Sequence, residues 1–168
     1  MSENEVYPGQ TVPRGFGLIP REEALGQSGL SLLKRMIAGE YPAPAMSQRM
    51  NFVLAEVGEG TCLFRGMPGE RHLNPMGAVH GGWAATILDS ALGCCVHSTL
   101  AQGEGYGTVE FKVNLIRPIT PQTGEVEARG VVINRGRTIA VSEAKLVDRN
   151  GKVLAFGTET CAIYPIGK

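Results

Sequence analysis

The sequence predicts an α+β domain: a curved antiparallel sheet wrapped around one long central helix, preceded by an arm with a short helix. Three observations carry this expectation. Residues 83–100 form an apolar run of helical length, hydrophobic almost all round, which marks a buried helix. Two strand-like segments precede that run and four follow it. Between the last two, Asp148-Arg149-Asn150-Gly151 carries Asn-Gly, the strongest short hairpin signal.

In chain order, residues 1–27 hold Pro8, Gly9, Pro13, Gly15, Gly17 and Pro20 and read as an arm rather than a core element. Ser28 is placed to cap a short helix bearing Leu30, Leu33, Met36 and Ile37, which Gly39 stops and Pro42 and Pro44 prevent from resuming. That helix is expected to dock on the outside, so the chain divides into an arm, residues 1–45, and a main domain, residues 46–168. There, residues 50–57 and 61–67 flank Gly58-Glu59-Gly60 as a hairpin. Residues 68–79 contain two Gly, two Pro and Asn74, and form a loop. After the long helix, residues 106–116 alternate Val109, Phe111, Val113 and Leu115 against Thr108, Glu110, Lys112 and Asn114. Residues 124–134, 137–148 and 152–164 complete the sheet.

Composition narrows the function. Lys+Arg and Asp+Glu stand at 16 each, so no basic excess marks a general binder of nucleic acid or anionic membrane. No segment reaches the ~18 uninterrupted apolar residues of a spanning helix. The opening Met1-Ser2-Glu3-Asn4-Glu5-Val6 lacks the basic and apolar regions of a secretory signal, and a cytoplasmic location is expected. Cys62, Cys94, Cys95 and Cys161 form no C-x-x-C pair, so no metal site is expected, and Cys94 and Cys95 read as small core hydrophobes.

Chemistry concentrates at the long helix. His80-Gly81-Gly82 stands where loop becomes helix, and two glycines leave the first-turn amides open to a ligand oxygen. Those amides and the helix dipole suit an oxyanion, while tight packing explains the same pair. Asp89 is the anomaly. It is a carboxylate in mid-helix on an apolar element, where burial is costly and helix propensity low, and such acids concentrate at active sites. Gly81 and Asp89 lie about 12 Å apart along a helix axis. One carbonyl cannot reach both, so cooperation requires two copies of the helix running antiparallel across a two-fold axis in a homodimer.

Asn74-Pro75-x-Gly77-x-x-His80-Gly81-Gly82, then Leu88-Asp89-x-Ala91-x-Gly93, then Thr108-Val109-Glu110-Phe111-Lys112-Val113-Asn114-x-x-Arg117-Pro118 together resemble the phenylacetyl-CoA thioesterase-like (PaaI-type) branch of the hotdog superfamily. The resemblance runs from about residue 46 to residue 164. It implies a hotdog fold and hydrolysis of an acyl-CoA thioester at a dimer interface, usually within a dimer of dimers. It also implies roles: Asp89 activates water or attacks the thioester, Gly81 donates to the oxyanion, and Asn74 helps hold the carbonyl or the water. Thr108 orients the water and His80 positions the loop at the helix start. No cofactor is implied, CoA being part of the substrate. Arg135-Gly136-Arg137, with Arg117, offers charge-assisted hydrogen bonds to the CoA phosphates, or else these are solvated turn residues. Met76, Val79, Gly82 and Trp83 are candidates to line the acyl pocket, and Trp83 equally suits the core.

Two other readings stand beside this one. A hydratase or dehydratase would pair His80 with Asp89, but the sequence lacks a Pro-His-Arg-x-Pro-like segment. A non-catalytic acyl-CoA-binding module would have no need of Asp89.

Overall fold

In the computed structural model, which describes residues 4–166, the arm is more ordered than its composition suggests. β1 (Glu5–Tyr7) and β2 (Gln10–Thr11) pair as a small hairpin. Val6, Tyr7, Val12 and Ala43 bury together as a minor core, with Val53 and Met67 packed against them. α1 (Arg21–Leu25) leads to α2 (Gly29–Ile37), whose first turn is capped as expected: Ser28 Oγ accepts from the Ser31 N–H at 3.3 Å. α3 (Ala45–Met50) is a short helix where the sequence suggested extended chain. It ends on Asn51, which takes the left-handed conformation at φ 52 and is buried, its side-chain amide donating to Met67 O.

The main sheet has six antiparallel strands: β3 (Phe52–Gly58), β4 (Thr61–Gly66), β5 (Glu104–Leu115), β6 (Val126–Arg135), β7 (Ile139–Asp148) and β8 (Val153–Pro165). Their order is β3-β4-β6-β7-β8-β5, so β3 and β5 are the edges. α4 (Gly81–His97) lies against one face. Its Ile87, Leu88, Ala91, Leu92 and Cys95 are fully buried against Ala128, Ala140, Leu146, Ala155 and Cys161 of the sheet. The approach is close: a side chain at Gly130 of β6 would place its Cβ 2.3 Å from Ala91 O, so glycine is required there. No described helix is long and apolar enough to cross a membrane.

The alternation read for residues 106–116 needs one correction. β5 pairs Thr108 with Cys161 and Glu110 with Thr160, a bulge that places Val109 and Glu110 opposite a single residue of β8. Residues directly opposite share a face. Tyr106, Thr108, Phe111, Val113 and Leu115 therefore face the same way as Ile163, Cys161, Glu159, Gly157 and Ala155, toward α4. Unbroken alternation would have turned Thr108 away from the helix. The bulge brings it in.

Candidate active site

The loop before α4 is shaped by its own polar side chains. Asn74 Oδ1 accepts from the N–H groups of Met76 (2.9 Å) and Ala78 (3.2 Å), which assigns the oxygen and leaves the side-chain NH2 as a donor with no partner among the described residues. His80 caps α4: its Nδ1 accepts from the Gly82 N–H at 2.9 Å, and its C=O accepts from the Trp83 N–H. Two of the first-turn donors are thus satisfied within the helix start, while the Gly81 N–H has no partner among the described residues. Asn74, Gly81 and Ala84 line one shallow cleft with Leu115, Arg117 and Ile119. The positive end of the helix dipole points into this cleft.

Asp89 opens elsewhere, into a pocket of about 370 Å³. Its walls come from α4 (Asp89, Ser90, Gly93, Cys94), from β3 and β5 (Leu54, Tyr106, Thr108), and from the arm (Val12, Met36, Ala43). The pocket is more apolar than polar, and Asp89 and Thr108 share its lining with Gln10, Ser47, Arg65 and Tyr106. No hydrogen bond or ion pair among the described residues satisfies the Asp89 carboxylate, and partial burial raises its pKa above the ordinary value. The neighbouring Cys94 thiol does not compete as a nucleophile. Burial pushes Cys94 and Cys95 up to about 12, so both stay protonated at neutral pH.

Thr108 reaches from the same pocket into the protein, where its hydroxyl donates to Glu159 Oε1 at 2.9 Å. Glu159 is fully buried on β8 and was not singled out from the sequence. Strand parity carried the signal: Gly157, Glu159, Cys161 and Ile163 share the face toward α4.

Several candidates lie apart from one another. Trp83 is core, 2% exposed, with its Nε1 donating to Met50 O at 2.6 Å. Met76 is 89% exposed on the loop tip, and Val79 is buried, its N–H donating to Ile119 O. None of the three borders the Asp89 pocket. The arginines divide as well. Arg135 pairs with Glu104 at 2.7 Å and also donates to Gly136 O, at the start of β5, whereas Arg117 follows its end and donates to Val153 O. The two are separated by the length of a 12-residue strand, roughly 36 Å at ~3.3 Å per residue. Arg137, beside Arg135, is exposed. Arg117 instead neighbours Arg149 and Lys152 around a cleft that continues the Gly81 cleft through Arg117 and Pro118. Among the described residues, no group of three or more His, Cys, Asp or Glu side chains is arranged to hold a metal ion.

Residues 76–155, from the loop through α4 to β8, match the thioesterase superfamily. A candidate esterase of Caenorhabditis elegans is 33% identical over 97 residues, covering 56% of this chain and 56% of that protein. The chain thus spans just over half the length of that relative. Among solved structures, a candidate thioesterase related to phenylacetic acid degradation from Ralstonia eutropha JMP134 superposes with a TM-score of 0.70 at 29% identity, over 77% of this chain and 98% of that one. A thioesterase family protein from Silicibacter pomeroyi, at 24% identity, shares the fold with a TM-score of 0.71, over 80% of this chain and 99% of that one.

Proposed function

We propose that this chain, which belongs to the thioesterase superfamily through residues 76–155 and has the hotdog fold, hydrolyses an acyl-CoA thioester to the free acid and CoA. The observation that carries the reading is Asp89: a half-buried carboxylate without a partner, in a mainly apolar pocket beside Thr108. Such a pocket suits an acyl group, and a carboxylate at its edge suits the carbonyl end. In the ionised form Asp89 takes a proton from a water as that water attacks the thioester carbon. The carbonyl oxygen gains charge and needs donors beside the base. The Gly81 N–H and the Asn74 side-chain NH2 supply them from the other cleft. Collapse of the tetrahedral intermediate then expels the CoA thiolate, a good leaving group. A positioned base contributes roughly 10²–10⁴-fold and an oxyanion donor roughly 10²–10³-fold, enough for an ester this reactive.

Base and donors belong to different protomers in this reading. Two α4 helices antiparallel across a two-fold axis bring Gly81 of one chain to Asp89 of the other, which makes the dimer the catalytic unit. Support comes from β5, an edge strand that leaves Val109, Phe111 and Leu115 exposed. A second exposed apolar set, Val131, Ile133 and Phe156, offers a face for a dimer of dimers. The CoA phosphates are assigned to Arg117, Arg149 and Lys152, whose cleft joins that of Gly81. His80 acts as the cap of α4 rather than as a base.

The test is free-thiol release from aryl, short-chain and long-chain acyl-CoAs by wild type and Asp89→Asn. Hydrolysis of some member, falling at least ~100-fold in the variant, is the expected result. Measurable binding with no hydrolysis of any member would make the protein an acyl-CoA-binding module instead.

A further inference from the structure

A second buried carboxylate stands beside the proposed site and takes no part in the steps above. Glu159 of β8 is 0% exposed. Two groups donate to its Oε1, the Thr108 hydroxyl and the Cys161 thiol, each at 2.9 Å. Its Oε2 is buried with no partner. A hydroxyl has one hydrogen to give. Because Thr108 gives its hydrogen to Glu159, what Thr108 turns toward the Asp89 pocket is acceptor capacity alone. It can receive a hydrogen from water; it cannot donate to an oxyanion.

We infer that Glu159 is a positioning residue for the hydrolytic water, fixing the Thr108 hydroxyl as an acceptor so that one water hydrogen is held by Thr108 and the other by Asp89. With both hydrogens committed, a water lone pair is left to face the thioester carbon. The inference rests on the hydrolytic reading of the Asp89 pocket. The bulge in β5 is part of the device, since it turns Thr108 toward α4 and into reach of β8.

The protonation of Glu159 fits this role. Burial raises its pKa first; the hydrogen bonds from Cys161 and Thr108 act against that, and the charges of Asp89 and Glu110 add to the rise. A proton held there belongs on Oε2, because Oε1 already accepts twice. Neutral or ionised, the carboxyl group accepts from Thr108 on Oε1. The titratable groups around Glu159 are Asp89, Cys94 and Cys95 of α4, Tyr106 and Glu110 of β5, and Cys161 of β8. Its cross-strand neighbour Ser142 of β7 donates its own hydroxyl to Leu92 O and so does not compete for the carboxylate.

The experiment compares kcat, KM and the pH profile of the protein carrying Glu159→Leu, Glu159→Thr or Glu159→Gln with those of wild type and Asp89→Asn, on the best acyl-CoA of the panel. Glu159→Thr suits the strand and removes the carboxyl oxygen that Thr108 reaches, its own hydroxyl being too short to stand there, so it carries the comparison if Glu159→Leu does not fold. Loss of the acceptor is expected to lower kcat about 10-fold or more with KM within about twofold, as for a positioning effect felt mainly in the transition state. Glu159→Gln retains an acceptor and is expected to restore kcat to within about threefold of wild type, with the acid limb unmoved. Thr108→Val is expected to lose as much as Glu159→Thr, and the double variant no more than either alone. Wild-type kcat in both Glu159→Leu and Glu159→Thr would overturn the inference while leaving the hydrolytic reading intact. So would a fall in Glu159→Gln as deep as that of Asp89→Asn, which would make Glu159 itself the base. An inactive wild type would overturn the hydrolytic reading and this inference with it.

Discussion

The start and the middle of α4 make unlike sites from one element. At its start, Gly81 and Asn74 present unpaired donors in an open cleft that holds no carboxylate. Two turns on, Asp89 presents a carboxylate in a mainly apolar pocket, next to a hydroxyl whose hydrogen is already given away. A thioesterase needs both within about 3 Å of one carbonyl or its water, and a rigid helix holds them ~12 Å apart. If Gly81 and Asp89 act on one carbonyl, as proposed above, the helix spacing asks for a second copy of the chain.

Changes at each place ought to separate the two. The largest effect is expected for Asp89→Asn, which removes the base and leaves the donors: kcat falls ~100-fold or more while acyl-CoA binding, read by calorimetry, persists. Next, Gly81→Val covers the unpaired N–H and crowds Leu115, whose Cδ1 lies only 2.6 Å from where the Cβ would stand. A loss of about 100-fold in kcat is expected, with the acid limb of the profile unmoved, because Asp89 is untouched. A wild-type kcat in this variant would remove the helix start from the chemistry.

A smaller effect sharpens the apolar half. Ala55→Leu projects into the wall shared by β3 and the arm, and a change of a few methylenes is worth about 10-fold or more in discrimination. The ratio of kcat/KM for short against long acyl-CoA is expected to rise by that factor. An unchanged ratio would mean that the acyl chain does not enter this pocket.

The smallest effect is on stability. Asp89 and Glu159 both have folded-state pKa values above the ordinary carboxylate range, through burial first. The folded chain therefore holds protons that the unfolded chain has released, and stability falls as pH rises from about 4 through the raised values, then levels off. Glu159→Gln cannot ionise. Its urea midpoint is expected to match wild type near about pH 4 and to exceed it near about pH 7.5, where wild type bears the cost of the charge. Catalysis runs the other way in the same window: Asp89 must be ionised, so the acid limb of kcat/KM is expected above the ordinary carboxylate range.

Much of this was legible before the structure. The buried helix, the hairpins and the anomaly of Asp89 follow from periodicity and from the cost of a mid-helix acid. The β5 bulge was not legible, because residues 108–115 alternate without a break and only the pairing with β8 shifts the register. Glu159 was within reach, since strand parity with Cys161 and Ile163 turns it inward, but a strand read only as a unit conceals its one buried acid. The short elements of the arm escaped for a different reason. A two-residue strand or a six-residue helix is held by packing rather than by propensity, and Val6 and Tyr7 gain their order from a minor core that no local pattern announces. Topology was hidden as well: Arg135 and Arg117, grouped from the sequence, lie at opposite ends of β5 within one chain.

The central claim, that base and donors come from different chains, is tested most directly by complementation. Asp89→Asn and Gly81→Val, each crippled alone, are unfolded together, refolded as a mixture and assayed for thiol release. Half of randomly reassociated dimers are mixed, and each mixed dimer regains one intact composite site, so about a quarter of wild-type activity is expected. Activity no greater than the average of the two variants, in a mixture shown by mass spectrometry to contain mixed dimers, would contradict the claim and return base and donors to the same chain.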